Sequence, residues 1–136
     1  NVIVTDRDVA KIMDFGLARR AAVQLATDDT ISWNPLPSGG ISGTPSYLAP
    51  EQARGEPVAP ASDVFSLGLM IYDMRTGHRA LQGRNIFEVL RQIDHLDAQS
   101  LAEPLPEPFR QIVITALAQD PRQRALSMSD IAGLLA

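Results

Sequence analysis

Apolar and polar positions divide the chain into three stretches. Val2-Ile3-Val4-Thr5 is apolar and β-branched, which favours a strand. Asp6-Arg7-Asp8 is a polar turn, and Val9–Met13 follows as a second strand with Val9 and Ile12 as expected inward positions. The pair predicts a small hairpin, marginal by itself. From Leu17 to about Leu48 no period holds, and Thr, Ser, Asp, Asn, Gly and Pro dominate. A loop this long without structure of its own is usually functional or disordered.

The remainder reads as helix. Pro50–Arg54 predicts a short turn stopped by Gly55 and Pro57. Ser62 is the expected cap of a helix running to about Thr76, with Gly77 as its stop. Val64, Phe65, Leu67, Leu69, Met70, Ile71, Tyr72 and Met74 leave it almost no polar face, so it predicts a buried, central helix. Only Ser66 and Asp73 interrupt the apolar run from Val64 to Met74. Ile86, Val89, Leu90 and Ile93 have the spacing of one amphipathic face. Phe109, Ile112, Val113, Ala116 and Leu117 predict another helix, entered at Pro108. Ser127, with Asp130 three residues on, predicts a capping box opening a last helix with Ile131, Leu134 and Leu135 inside. The pattern is that of a mainly α protein with a short β-hairpin at its start.

Composition narrows the function classes. Twelve basic against 16 acidic residues leave a net charge of −4. That argues against a basic nucleic-acid surface and a polybasic membrane patch. A hydrophobic content of 45% suits a packed core rather than a disordered tail. The chain has no Cys, hence no disulfide framework and no thiolate metal site. His78 and His95 are too few and too far apart for a histidine zinc site, and are expected at the surface. The stretch Val64–Met74 is too short to cross a bilayer, so no membrane segment is expected within the chain. The chain opens on Asn1 rather than Met, without a basic-then-apolar leader, which suggests a piece of a longer protein.

Candidate chemistry begins at Asp14-Phe15-Gly16, where an apolar strand ends. A carboxylate there can reach a bound cation, and the glycine permits a sharp change of direction. Alone, such a tripeptide is more often a plain turn. Further on stand Gly43-Thr44-Pro45-Ser46-Tyr47-Leu48-Ala49-Pro50-Glu51-Gln52, then Ser62-Asp63-Val64-Phe65-Ser66-Leu67-Gly68, then Asp120-Pro121-Arg122-Gln123-Arg124. This ordered set resembles the C-terminal lobe of a eukaryotic-type serine/threonine protein kinase, in its bacterial branch. The resemblance covers nearly the whole chain and implies a protein-kinase-like C-lobe, helical with a short hairpin, over residues 1–136, with the N-lobe absent.

The resemblance also implies roles. Asp14 matches the Asp that holds Mg²⁺ against the ATP phosphates, and Asn1 the Asn that takes a second Mg²⁺. Phe15 matches the packing residue that separates active from inactive states, followed by the turn residue Gly16. Residues 14–51 match the activation segment, closed by Ala49-Pro50-Glu51. Thr44 matches the Thr beside the substrate hydroxyl and the catalytic Asp. Glu51 and Arg124 match a structural ion pair. Asp63 matches a helix Asp that accepts backbone N–H bonds from the catalytic loop, although it is equally a first-turn acid favoured by the helix dipole. Serine/threonine specificity is implied by Gly43–Tyr47, where tyrosine kinases usually carry a basic residue and a Trp.

The Gly-rich loop, the phosphate-binding strand Lys, its Glu partner and the His-Arg-Asp run are not in these residues. The catalytic Asp would precede Asn1. Ala80-Leu81 stands where the family often has Pro-Phe, and Ala125 where it often has Pro. The expectation is a cytoplasmic kinase whose parent transfers the ATP γ-phosphoryl to protein Ser or Thr, with a kinase dimer as a further expectation. The 136 residues alone are expected to be inactive. The alternatives are a pseudokinase or truncated module that binds partners through Ile86–His95 and the activation segment, and an unrelated helical interaction domain. Thr27, Thr30, Ser32, Ser38 and Ser42 are ordinary loop residues by default and candidates for regulatory phosphate.

Overall fold

A computed structural model describes residues 2–13 and 45–136. The chain divides into two compact units, residues 1–30 and 31–136. In the first, β1 (Val2–Val4) and β2 (Ala10–Ile12) pair antiparallel with Val2 opposite Ile12 and Val4 opposite Ala10. The turn is closed by bonds from Thr5 N–H to the Val9 carbonyl and from Asp8 N–H to the Thr5 carbonyl, both 3.0 Å. Asp8 takes a left-handed conformation at φ 57°, which a short polar side chain tolerates. The hairpin expectation holds, but Val9 and Ile12 do not point into a core: they are 51% and 67% exposed.

The second unit is helical: α1 (Pro50–Ala53), α2 (Pro60–Thr76), α3 (Ile86–Asp94), α4 (Ala98–Ala102), α5 (Phe109–Ala116) and α6 (Met128–Leu135), with 3₁₀ turns at Pro45–Tyr47 and Pro121–Gln123. Helix α2 is the centre of the unit and packs on α5, which also carries α4. Phe65, Leu69, Ile93, Ile112, Val113 and Leu117 are among the fully buried side chains. Each contributes about 1.5–3 kcal/mol by leaving water. The helices approach closely because Gly68 has no side chain. A Cβ there would lie 2.8 Å from the Ala116 Cβ and 3.0 Å from the Leu117 Cδ2.

Helix α2 starts earlier than its Ser62 suggests. Pro60 occupies the first helical position, where its fixed φ suits the helix and its missing N–H costs nothing. Ala59 is the cap residue, and Ser62 sits in the first turn, where its Oγ accepts from the Ala59 N–H at 3.4 Å. The stop is as expected: Gly77 is left-handed at φ 73°, and its N–H donates to the Asp73 carbonyl at 2.9 Å. Burial of α2 is one-sided rather than complete, since Asp63 and Met74 are exposed.

Asn85 caps α3, accepting from the Glu88 N–H at 3.0 Å. Helix α4, capped by Asp97, has no counterpart in the hydrophobic pattern, because five residues are too short to show a period. The Ser127–Asp130 capping box opens α6 as expected. Its inner face is narrower than expected: Ile131 is buried, whereas Leu134 and Leu135 are 44% and 43% exposed. His78 and His95 are exposed. No described helix is long and apolar enough to cross a membrane.

Candidate functional site

Two arrangements anchor the segment that runs from the 3₁₀ turn at Pro45–Tyr47 into α1. The first is centred on Glu51, a buried carboxylate at the start of α1. Helix α1 begins where the Ala49 N–H donates to the Gln52 side chain at 2.9 Å, which directs Glu51 toward the start of α2. The Arg124 guanidinium grips it with two parallel bonds: Nη1 to Oε1 at 2.7 Å and Nη2 to Oε2 at 2.9 Å. Ser62 Oγ donates to the same Oε1 at 2.7 Å.

Arg124 is itself saturated. Its Nε donates to the Ala118 carbonyl at 2.8 Å, Nη1 to Ala61 at 3.0 Å and Nη2 to Gln119 at 3.3 Å. With the two bonds to Glu51, all five guanidinium N–H groups are used. The guanidinium also lies 4.8 Å from the centre of the Phe65 ring. Burial pushes the Glu51 carboxyl up, but bonds from Arg124, Ser62 and the backbone outweigh it and hold the group below its ordinary value. A carboxylate with both oxygens committed in this way moves no proton. It is a clamp that joins residues 73 positions apart.

The second arrangement holds Tyr47. Its phenol donates to Asp73 Oδ2 at 2.9 Å, and its carbonyl accepts from Ser66 Oγ at 2.7 Å. Asp73 Oδ1 also accepts the Ala80 N–H at 2.8 Å, so one carboxylate joins the segment to the connection that follows α2. Partial burial, then the bond to Asp73, raises the Tyr47 pKa and keeps the phenol protonated as a donor. Arg79 covers the ring face, with its guanidinium 5.5 Å from the centroid.

The sequence-level candidates therefore separate. Glu51 and Arg124 meet as a bidentate pair. Asp63 sits exposed on the first turn of α2 and makes no side-chain bond to a described residue. Asn1, Asp14, Phe15, Gly16 and Thr44, with the candidate phosphate acceptors, lie outside the described residues. Among the described residues no group of three or more His, Asp or Glu stands close enough to hold a metal. Tyr47, Ser66 and Asp73 were not singled out as functional, although Ser66 and Asp73 are the two polar breaks in the apolar run of α2.

The family model for the protein kinase domain matches residues 1–132. The chain belongs to the protein kinase family, and bacterial serine/threonine kinases are among the proteins similar to it. A probable serine/threonine-protein kinase PknB of Bifidobacterium longum is 35% identical over 133 residues, covering 96% of this chain and 18% of that protein. The serine/threonine-protein kinase PknL of Mycobacterium tuberculosis is 32% identical over 127 residues, 91% of this chain and 30% of that protein. A Corynebacterium efficiens protein described as serine/threonine-protein kinases drp72 is 34% identical over 134 residues, covering 97% and 24%. The chain thus spans less than a third of the length of these relatives.

Proposed function

We propose that residues 1–136 are the C-lobe portion of a serine/threonine protein kinase domain, with residues 14–51 as its activation segment. The intact protein transfers the γ-phosphoryl of ATP to Ser or Thr hydroxyls of protein substrates. The reading is carried by the family match over residues 1–132, with Asp14-Phe15-Gly16, Ala49-Pro50-Glu51 and Arg124 in the family's order. Mg²⁺-bound ATP supplies the transferred group, and Asp14 and Asn1 are the residues that would hold the metal. Thr44 stands beside the acceptor hydroxyl. Glu51 and Arg124 take no part in the chemistry. They fix the end of the segment, so the acceptor meets a positioned surface rather than a wandering loop.

The test uses the full-length protein, γ-labelled ATP and a generic acceptor protein. Label should enter Ser and Thr of the acceptor, and Asp14→Asn should abolish turnover while preserving the fold, because an amide keeps the shape but not the charge. Near-normal turnover in that variant would remove Asp14 from the metal site. No transfer by the wild type would favour the non-catalytic binding module.

A further inference from the structure

The connection from α2 to α3 is a basic surface in an acidic chain. Residues 75–84 hold three Arg and one His and no Asp or Glu, whereas the whole chain carries a net −4. Arg75, His78, Arg79 and Arg84 are all exposed. Arg75 lies over the Phe109 ring, 4.3 Å from its centroid, and Arg79 over Tyr47. Among the described residues, no carboxylate comes within ion-pair distance of Arg79. The nearby carboxylate of Asp73 is already committed, one oxygen to Tyr47 and the other to the Ala80 N–H.

We propose that Arg79, held over Tyr47 at the edge of the anchored segment, selects acceptor peptides that carry an acidic side chain. The inference rests on the kinase reading, in which the acceptor hydroxyl passes Thr44, three residues before Tyr47. Stacking on a fixed ring limits the rotamers of Arg79 and leaves the donor edge of its planar fork free for a carboxylate. Tyr47 is fixed at both ends, by Asp73 at its phenol and by Ser66 at its carbonyl, so the cation is presented on a ring that is itself held in place. Arg75, exposed in the last turn of α2, adds positive charge whose pull on acidic segments weakens with salt, whereas the charge of Arg84 is offset by the Glu88 carboxylate, which accepts the Arg84 N–H at 2.8 Å.

The experiment is a position scan with the full-length kinase. Threonine peptides carry Glu, Ala or Arg at each position on either side of the acceptor, and kcat and KM are measured for wild type and Arg79→Glu. Wild type should favour Glu over Arg at one or two adjacent positions by about three- to fivefold in kcat/KM, the range of an exposed ion pair. The effect should fall on KM and shrink with added salt, because the contact is made equally in ground and transition states. Arg79→Glu should invert the preference at those same positions. Equal turnover of all charge variants by the wild type, or a preference that survives Arg79→Glu, overturns the inference and leaves the kinase reading standing. No transfer to any peptide overturns the kinase reading and this inference with it.

Discussion

Removing Arg124 from its pocket tests how the end of the anchored segment is held. The guanidinium leaves five acceptors behind: both Glu51 oxygens and the carbonyls of Ala61, Ala118 and Gln119. Glu51 is 2% exposed, so Arg124→Ala strands a carboxylate away from water with only Ser62 and a backbone N–H to donate to it. Breaking a buried pair from one side costs about 3–5 kcal/mol. That is a large part of the ~5–15 kcal/mol that holds a domain together. Glu51→Ala strands a cation instead, but Arg124 keeps its three carbonyl partners, so its loss belongs at the lower end of that range. The double variant has no stranded charge. It still leaves three carbonyls without their donor, so it should match Arg124→Ala rather than approach the wild type. The coupling from the full cycle should be about 3 kcal/mol. Arg124→Lys should recover only part of the loss, because an ammonium has three donors and no fork. The assay is urea unfolding of the intact kinase domain followed by circular dichroism, with equal slopes required for comparison. Additive single losses would show that the two residues do not act on each other, and would refute the clamp.

Acid should weaken the same clamp. The folded state holds the Glu51 carboxyl below its ordinary 4.5, so between those two values it binds fewer protons than the unfolded chain. Its contribution is complete above 4.5 and is lost as pH falls through the folded value, and Glu51→Gln should flatten the urea midpoint across that window. Gly68→Ala should destabilise by about 1–2 kcal/mol in urea unfolding, since overpacking outweighs the gain in helix propensity. Gly133→Ala, with open space around its Cβ, should instead stabilise by about 0.5–1 kcal/mol. Mass spectrometry of the full-length protein expressed with ATP should find phosphate between Thr27 and Thr44, and phosphate only outside that window would refute a regulatory role for that stretch of sequence.

The helices were legible where their signals were long or redundant. The faces of α3 and α5 repeat over two or more turns, and Gly77 and the Ser127–Asp130 box mark ends by mechanisms that need no tertiary partner. The start of α2 was misread because Ser62 is a good cap residue in isolation. Pro60, two residues earlier, carried the stronger signal, and Ser62 is drawn into the first turn by its bond to Glu51. Leu134 and Leu135 illustrate the limit of periodicity, which names an apolar face without showing whether anything covers it. The Glu51–Arg124 pair was legible through family resemblance alone, since nothing in a separation of 73 residues shows contact. The Tyr47 anchor had a usable sign: two polar residues inside an otherwise apolar helix call for a partner, and Ser66 and Asp73 share one.

The separation of the clamp's partners also bears on how fast the domain comes apart. Glu51 precedes α2 and Arg124 follows α5, so the pair closes only after the intervening helices have assembled. Closing so long a loop early would cost chain entropy with little yet formed to offset it. On that argument the bond should be absent from the folding transition state. Contacts of that kind leave the folding rate nearly unchanged and act on unfolding. Arg124→Ala should refold at close to the wild-type rate and unfold far faster. On this expectation the clamp would act as a kinetic latch, and its loss would register first as a shortened lifetime under protease.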